Sequence, residues 1–368
     1  MEDITYNMIG PLTKNKIKIC IVGVFSNPSS TCIPFSKAFK QLSNVDSVIE
    51  YDYRKVQKEN ANNVPNDLNK LSKECALMII MKGSKIPITA IQQATINCYT
   101  YYWFPDFYPE LINKRANYIE FGGSCHYRST TGYGTTQLWK DKENIPIYTI
   151  MEGTSPEIYY KENAEKIYDV SFIGGRTIDR EKVLNYLKQK NVNVQFFGPG
   201  FNHYIGLEEF RKIVSESKIT LNINKGTYEG YSSNRIWDLM CCCSPVITNK
   251  IPNMKERMNI EEEVHILSYS DFSDLYDKIV YLLNNNENRE KIAKEGFNYT
   301  INNRTWKHVA LQILDIVSTK EGVFKPNMLN NMTKESTHQI FKNISSGNIP
   351  NTYNQPKNKK IQHIIKQF

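Results

Sequence analysis

Between Tyr168 and Thr248 the chain alternates short apolar runs with helical patterns, and a glycine or a polar loop follows each run. The runs are Tyr168–Ile173 before Gly174 and Gly175, Val194–Phe197 before Gly198, Ile219–Asn224, and the stretch Pro245–Thr248 after a helical segment that opens at Ser232. Strands separated by helices pair in parallel, because a parallel connection needs a crossover of a dozen residues or more. In open parallel sheets ligands bind beyond the carboxyl ends of the strands. The glycines and polar loops stand at those ends, so this half reads as a nucleotide-binding α/β unit.

The N-terminal half alternates in the same way. Strands are expected at 16–23, 48–53, 76–83, 98–104, 118–123 and 145–150, which would make a six-stranded unit. A helix around 34–43 sets Phe35, Ala38, Phe39 and Leu42 on one face. The polar stretch 152–163, with Gly153 and Pro156 in turn positions, reads as a hinge. Helices follow near 274–284 and 287–297. A last one over 305–318 carries Trp306, Val309, Ala310, Ile313, Leu314 and Val317 at amphipathic spacing, and it can pack back across the hinge. The expected organisation is a domain over 1–153, a second over 154–320, and a tail over 321–368. The tail is rich in Asn, Lys, Ser and Pro, and it has too little apolar surface to offset the entropy of ordering it.

The formal net charge of +8 is unevenly placed. From Thr319 onward eight lysines face two glutamates, a surplus of +6 that leaves +2 for the rest. A broad basic surface for nucleic acid is therefore not expected on the folded body; weak nucleic-acid contact is left to the tail. The N-terminus has no signal-peptide pattern, and the most apolar run, Ala76–Met81, is far too short for a membrane span. A cytoplasmic protein is expected. Cys20, Cys32, Cys75, Cys98, Cys125 and Cys241–Cys243 contain no Cys-x-x-Cys pair and read as buried thiols, with no metal site. There is no P-loop, no nucleophile elbow and no zinc-protease motif, and the first strand ends without the dinucleotide fingerprint.

Several residues are placed to carry chemistry. Gly174, Gly175 and Arg176, with Arg180 four residues on, form a turn where backbone and guanidinium groups can meet a phosphate; the plainer reading is a strand–helix turn with surface arginines. Gly198 offers the same freedom after the next strand. Asn222 and Asn224 share one face at a strand end and suit hydroxyl recognition, unless they are simply a polar terminus. Ser232, Ser233 and Arg235 open a helix, and Asp238 lies three residues after Arg235. That pair is either a ribose anchor beside a basic group or an ordinary i, i+3 ion pair. Asp106, just past the fourth strand, is a candidate acid on the acceptor side or a helix cap. His126 reads as a structural residue.

These segments resemble the CgeB/YkvP-type glycosyltransferase-like proteins of the GT-B class. The similarity is carried by Tyr168–Gly174, by Ser217–Asn224, and by the Ser-x-Arg-x-x-Asp-x-Met-x-Cys pattern from Ser233 to Cys242; it spans about residues 15–318. The resemblance implies two facing Rossmann-like domains with parallel sheets, the second holding a nucleotide sugar and the first presenting the acceptor, and a last helix that crosses back. It implies a retaining transfer with no metal ion and no cofactor beyond the nucleotide-diphosphate sugar, expected to be a UDP-sugar. Gly174, Arg176 and Arg180 would hold the diphosphate, with Arg176 acting in catalysis, and Asp238 would hold the ribose. The chain departs from the pattern in having Asp238 for Glu and Cys243 for Gly, and in lacking the Glu-x7-Glu pair, since the nearest acid, Glu229, falls one residue early. The acceptor is not identified by the sequence; a glycan, a protein or a modified nucleic acid is expected. Two other functions are carried alongside: a viral enzyme that glycosylates DNA bases, suggested by the tail, and a non-catalytic GT-B binding or coat-assembly protein, suggested by the departures.

Overall fold

The computed structural model describes residues 16–319 apart from 44, 107–110, 113–117 and 142–145. The lysine-rich tail lies outside the described residues. The described chain separates into two α/β units. One contains the residues up to Glu152 together with the helix from Trp306, and the other runs from Gly153 to Thr305.

The first unit is built on a six-stranded parallel sheet in the order β2-β1-β3-β4-β5-β6. Its strands are β1 (Ile17–Gly23), β2 (Val45–Asp52), β3 (Leu77–Met81), β4 (Tyr99–Phe104), β5 (Tyr127–Thr130) and β6 (Tyr148–Thr149). Every residue of β3 and β4 is buried, as expected when helices cover both faces of a parallel sheet. Asp52, at the end of β2, ties the sheet edge together. Its carboxylate accepts from the N–H groups of Phe25 (2.7 Å), Ser26 (2.6 Å) and Lys55 (2.9 Å), and the last of these caps the helix Tyr53–Asn60. Burial pushes this carboxyl upward, but the N–H bonds prevail and hold it below the usual carboxylate range.

Two expectations about this sheet need correction. The segment Tyr118–Gly123 is helical, not a strand, and the fifth strand is Tyr127–Thr130. Tyr118, Phe121 and Gly122 are buried at i, i+3 and i+4, a helical spacing that the aromatic content disguised. Gly122 is obligatory there, because a Cβ would come within 2.4 Å of the Trp139 ring and 2.6 Å of Tyr102. The true strand escaped notice because it is Tyr-Arg-Ser-Thr, a polar run that is nevertheless fully buried. Arg128 feeds its guanidinium into the carbonyls of Cys125 and His126. The expected strand over 145–150 is only Tyr148–Thr149, and residue 145 is outside the described set.

The second unit carries a five-stranded parallel sheet in the order β11-β10-β9-β7-β8. Its strands are β7 (Tyr168–Ile173), β8 (Val194–Phe197), β9 (Ser217–Asn222), β10 (Val246–Asn249) and β11 (Leu267–Tyr269). Central β9 has neighbours on both sides, so its carboxyl end lies between the loops that leave β7 and β10. All eight cysteines are buried with free thiols. Among the described residues no helix is long and apolar enough to cross a membrane.

The chain leaves the first unit after Glu152 and returns to it at Trp306, and the two ends of the second unit's stretch are bonded to each other. Thr154 N–H donates to Arg304 C=O (2.8 Å), and Thr154 forms a parallel bridge with Thr305. The helix Trp306–Thr319 then joins the first unit's core. Trp306 meets Phe35 and Trp103 edge-on, each with centroids 5.9 Å apart, and the Tyr127 hydroxyl donates to Val317 C=O (3.1 Å). Trp306 is 3% exposed. Trp306→Ala is expected to destabilise the first unit by about 3–5 kcal/mol, the usual range for removing a buried aromatic. Chemical denaturation followed by circular dichroism checks this, and an unchanged midpoint would contradict the packing.

Candidate functional site

The carboxyl ends of β7, β8, β9 and β10 meet in the second unit, and the candidate residues gather there. Their placement begins with the glycines. Gly174 N–H donates to Phe197 C=O (2.8 Å), and Arg176 N–H donates to Pro199 C=O (2.8 Å), so the turns after β7 and β8 are laced together. Gly198 has φ +117°, and a Cβ on it would sit 2.6 Å from Gly174 O. Side chains rarely adopt that conformation, and the neighbouring backbone leaves no room. Gly174 is confined by side chains, with Arg235 at 2.7 Å and the Phe172 ring at 2.8 Å from a built Cβ. Gly175 is different: the nearest atom to its Cβ would be 3.9 Å away. The close approach therefore belongs to Gly174 and Gly198.

Two arginines converge on one ring. The Arg180 guanidinium lies 4.9 Å from the Phe172 centroid and that of Arg235 lies 4.8 Å from it. Both also use the Ile223 carbonyl: Arg180 donates from Nε (3.2 Å) and Nη2 (2.7 Å), and Arg235 from Nη2 (3.1 Å). Arg180 reaches Gly175 C=O as well (2.7 Å), and Arg235 reaches Ile173 C=O (3.2 Å) and Asn222 Oδ1 (3.2 Å). Neither is ion-paired with a carboxylate among the described residues. Arg180 is buried, which lowers its affinity for a proton. Arg235 is half-buried. Burial, with the Arg180 charge adding to it, brings its pKa down to about 9, so it stays cationic at neutral pH. The site thus holds two positive charges whose acceptors are neutral carbonyls, an amide and a ring.

Arg176 stands apart from this pair. It is exposed and forms a forked ion pair with Glu181, Nη2 to Oε1 at 2.5 Å and Nε to Oε2 at 3.2 Å. The helix behind it, Ile178–Gln189, is capped by Thr177, whose side chain accepts from Arg180 N–H (3.3 Å).

The two asparagines of the β9 end divide their work. Asn222 is fully buried and spent: its Nδ2 donates to Ser232 Oγ (3.0 Å) and Thr248 Oγ1 (3.1 Å), while its Oδ1 takes Arg235 and, at 3.5 Å, Ser233 Oγ. Asn224 is buried too. Its Oδ1 accepts from Ser232 Oγ (3.2 Å) and Ser233 N–H (3.1 Å), and its own N–H donates to Asn249 Oδ1 (2.8 Å). Ser232 and Ser233 are therefore the clasp between the end of β9 and the start of the helix Arg235–Cys241.

Asp238 is 5% exposed, and both carboxylate oxygens are engaged: Thr154 Oγ1 donates to Oδ1 (2.7 Å) and Asn234 Nδ2 donates to Oδ2 (2.9 Å). It forms no ion pair with Arg235, so the i, i+3 alternative is not what the structure contains. Burial raises its pKa to about 8, against the opposing pull of the Thr154 bond, the Arg235 charge and the Asn234 bond. Glu229, the acid one residue out of register, is held by Asn253 Nδ2 (2.7 Å) and Arg257 Nε (2.9 Å).

In the first unit Asp106 is ion-paired with Lys82, a residue at φ +62° whose ammonium also lies 5.8 Å from the Tyr118 ring centroid. His126 is structural: its Nδ1 meets Thr100 N (3.0 Å) and Oγ1 (2.8 Å). Among the described residues no group of His, Cys, Asp and Glu side chains is arranged to hold a metal ion. Sequence reasoning missed Phe172, Thr154 and Asn234. Phe172 looked like any strand residue, and only the positions of Arg180 and Arg235 further along the chain hinted at a shared ring.

Known proteins share this architecture. Residues 176–315 match the sequence model of a family described as Glycosyl transferase-like. Solved structures match over most of the chain. HepE from Anabaena, in complex with UDP and glucose, aligns with a TM-score of 0.61 at 11% identity, covering 83% of this chain and 100% of that one. An alpha-glucosyltransferase in complex with UDP and a 13-mer DNA containing an HMU base aligns at 0.58 and 10% identity, covering 82% and 99%. Sucrose-phosphate synthase from Thermosynechococcus elongatus aligns at 0.55 and 11%, covering 80% and 97%. The fold is GT-B. No curated protein sequence matches the chain.

The raised Asp238 pKa has a definite sign. A carboxyl that binds its proton more tightly when folded contributes stability that is full below its unfolded value near 4 and is lost progressively as pH rises from there through about 8. Asp238→Asn removes the titration, and a turn of the Asn234 amide would restore its partner. The variant should match the parent at pH 4 and melt at a higher temperature at pH 9. Thermal unfolding across that range checks this; a gap independent of pH would contradict it.

Proposed function

We propose that this GT-B protein is a glycosyltransferase that takes its sugar from a UDP-sugar and binds that donor in the second unit. The observation that carries the reading is the pair of guanidiniums, Arg180 and Arg235, set at the carboxyl ends of β7 and β9 with no carboxylate to neutralise them. An unneutralised positive pair in a partly enclosed site favours an anion, and a diphosphate is the anion that nucleotide sugars bring. The family match and the UDP-bound GT-B neighbours support the same choice.

In this reading Arg235 offers the accessible N–H groups, since only three of its five are spent within the chain. Arg180 sits behind it and adds charge. As the glycosidic bond breaks, negative charge grows on the departing diphosphate, and fixed cations stabilise it more than they stabilise the intact donor. Arg176 can join them by exchanging Glu181 for a phosphate oxygen. Asp238 serves as an anchor for Thr154 and for the helix Arg235–Cys241 in place of the ribose contact. Asp106, with Lys82, remains our candidate on the acceptor side. A retaining outcome, metal independence, the absence of a further cofactor, a cytoplasmic location and the CgeB/YkvP-type kinship belong to this proposal as what the resemblance implies.

A second reading concerns the acceptor. One of the aligned structures contains DNA with a modified base, and this chain ends in a segment with a surplus of +6. A DNA acceptor would make binding salt-dependent through those lysines. Removal of residues 321–368 should then weaken DNA binding and flatten its salt slope; equal binding with and without the tail would rule out its part.

The test of the main reading is calorimetry with UDP and UDP-glucose, followed by assay of sugar release. Arg235→Gln should weaken UDP binding by roughly 10- to 100-fold, the loss expected for one hydrogen-bonded charge, with the fold intact by circular dichroism. Undiminished affinity would sink the assignment of the diphosphate to this pair. Tight binding with no transfer or hydrolysis from any nucleotide sugar would favour a GT-B binding protein instead.

A further inference from the structure

Asn224 leaves one polar atom unused just past the end of β9. The residue is 8% exposed, and its Nδ2 is buried with no hydrogen-bond partner. The amide cannot be reversed to cure this. Its Oδ1 holds Ser233 N–H (3.1 Å) and Ser232 Oγ (3.2 Å), and turning the group would set two donors, Nδ2 and Ser233 N–H, against each other. The clasp that organises the β9 end therefore fixes a donor in a set direction. Asn234, next to Ser233 in the chain, has the complementary atom when Asp238 is ionised: its Nδ2 is then spent on the Asp238 carboxylate (2.9 Å), and its Oδ1 is buried with no partner.

Buried polar groups without partners are rare and costly, and two of opposite kind on residues bracketing the serine clasp point to a ligand group. A phosphate oxygen satisfies the donor and leaves the acceptor orphaned. A hydroxyl satisfies both, accepting from one amide and donating to the other. Arg235 follows Asn234 directly and donates to Asn222, so a hydroxyl held here lies beside the cationic pair.

We propose that Asn224 and Asn234 read a hydroxyl of the nucleotide-sugar donor, Asn224 Nδ2 donating to it and Asn234 Oδ1 accepting from it. The proposal rests on the donor reading above and gives it a polarity. The hydroxyl belongs either to the ribose or to the sugar being transferred, and the two sources separate in the test. Asn222 has no part in this recognition, because all its hydrogen-bonding capacity is used in holding Ser232, Thr248 and Arg235.

The experiment is calorimetry of the full chain at pH 8.5, above the Asp238 pKa of about 8, with UDP and with UDP-glucose, for the parent, Asn224→Asp and Asn234→Ala. The carboxylate of the Asn224→Asp variant keeps the oxygen that holds Ser232 and Ser233, and it replaces the unspent donor by an acceptor. Two acceptors then face a single hydroxyl hydrogen. Asn234→Ala removes the other contact without adding charge. Both variants should retain the parent melting temperature within a few degrees and lose 10-fold or more in affinity. The charge-neutral Asn234→Ala makes the assignment: a loss on UDP-glucose alone assigns the hydroxyl to the transferred sugar, and a loss on both ligands assigns it to the ribose. Parent-like affinity in either variant overturns the hydroxyl pair while leaving the donor reading intact. Failure of the parent chain to bind either ligand overturns both.

Discussion

Two like charges share one aromatic ring and one carbonyl in the second unit, and the rest of the site is arranged around that tension. Arg180 and Arg235 repel each other, and that repulsion adds to burial, the larger cause, in depressing the proton affinity of Arg235. They are held together because strand ends supply carbonyls in place of carboxylates: Ile173, Gly175 and Ile223 each turn an oxygen toward a guanidinium. The Phe172 ring adds a face on which both cations can rest. A carboxylate partner would relax the repulsion and also cancel the site's charge. Carbonyls relax it only in part, so the field remains available to an incoming anion.

The surrounding amides make that arrangement rigid. Asn222 sits beneath Arg235 with its hydrogen-bonding capacity used, and the two serines lock the following helix to the strand end. Asp238 extends the lock to Thr154, where the chain enters the unit. The glycines act differently: Gly198 lets two backbone turns pass within hydrogen-bonding distance, which no side chain there would permit, and Gly174 leaves the space that Arg235 and the Phe172 ring occupy. Precision at the centre thus depends on residues that need never touch a ligand.

Much of this was legible in the sequence, for reasons that can be stated. Parallel strands buried on both faces read as nearly unbroken apolar runs, which is why β3 and β4 stood out, while β7 and β9 were marked by their apolar cores and by the glycine or amides that follow them. Glycines and amides at strand ends located the site, because those ends are where such sheets bind ligands. What failed was local identity. Tyr118–Gly123 has strand-like composition, yet its helical spacing of buried groups decided its structure. Tyr127–Thr130 is a strand made of polar residues, whose buried state depends on partners far away in sequence. Within the site, residue types were readable and their hydrogen-bond commitments were not. Arg176 and Arg180 looked alike in the chain, yet one is exposed beside Glu181 and the other is buried against Phe172.

The helix Trp306–Thr319 has a consequence for how the protein comes into being. The first unit's apolar core includes Trp306, Val309, Ala310, Ile313, Leu314 and Val317, although its strands begin at Ile17. During synthesis a ribosome must therefore produce the whole intervening unit before that core can close. Until then the groove lined by Phe35 and Trp103 is an exposed apolar surface on a nascent chain, of the kind that chaperones bind. The second unit has its own continuous stretch, Gly153 to Thr305, and is free to fold first. An early translation stop just before Trp306 would yield a complete sheet order in both units and an unfinished first core.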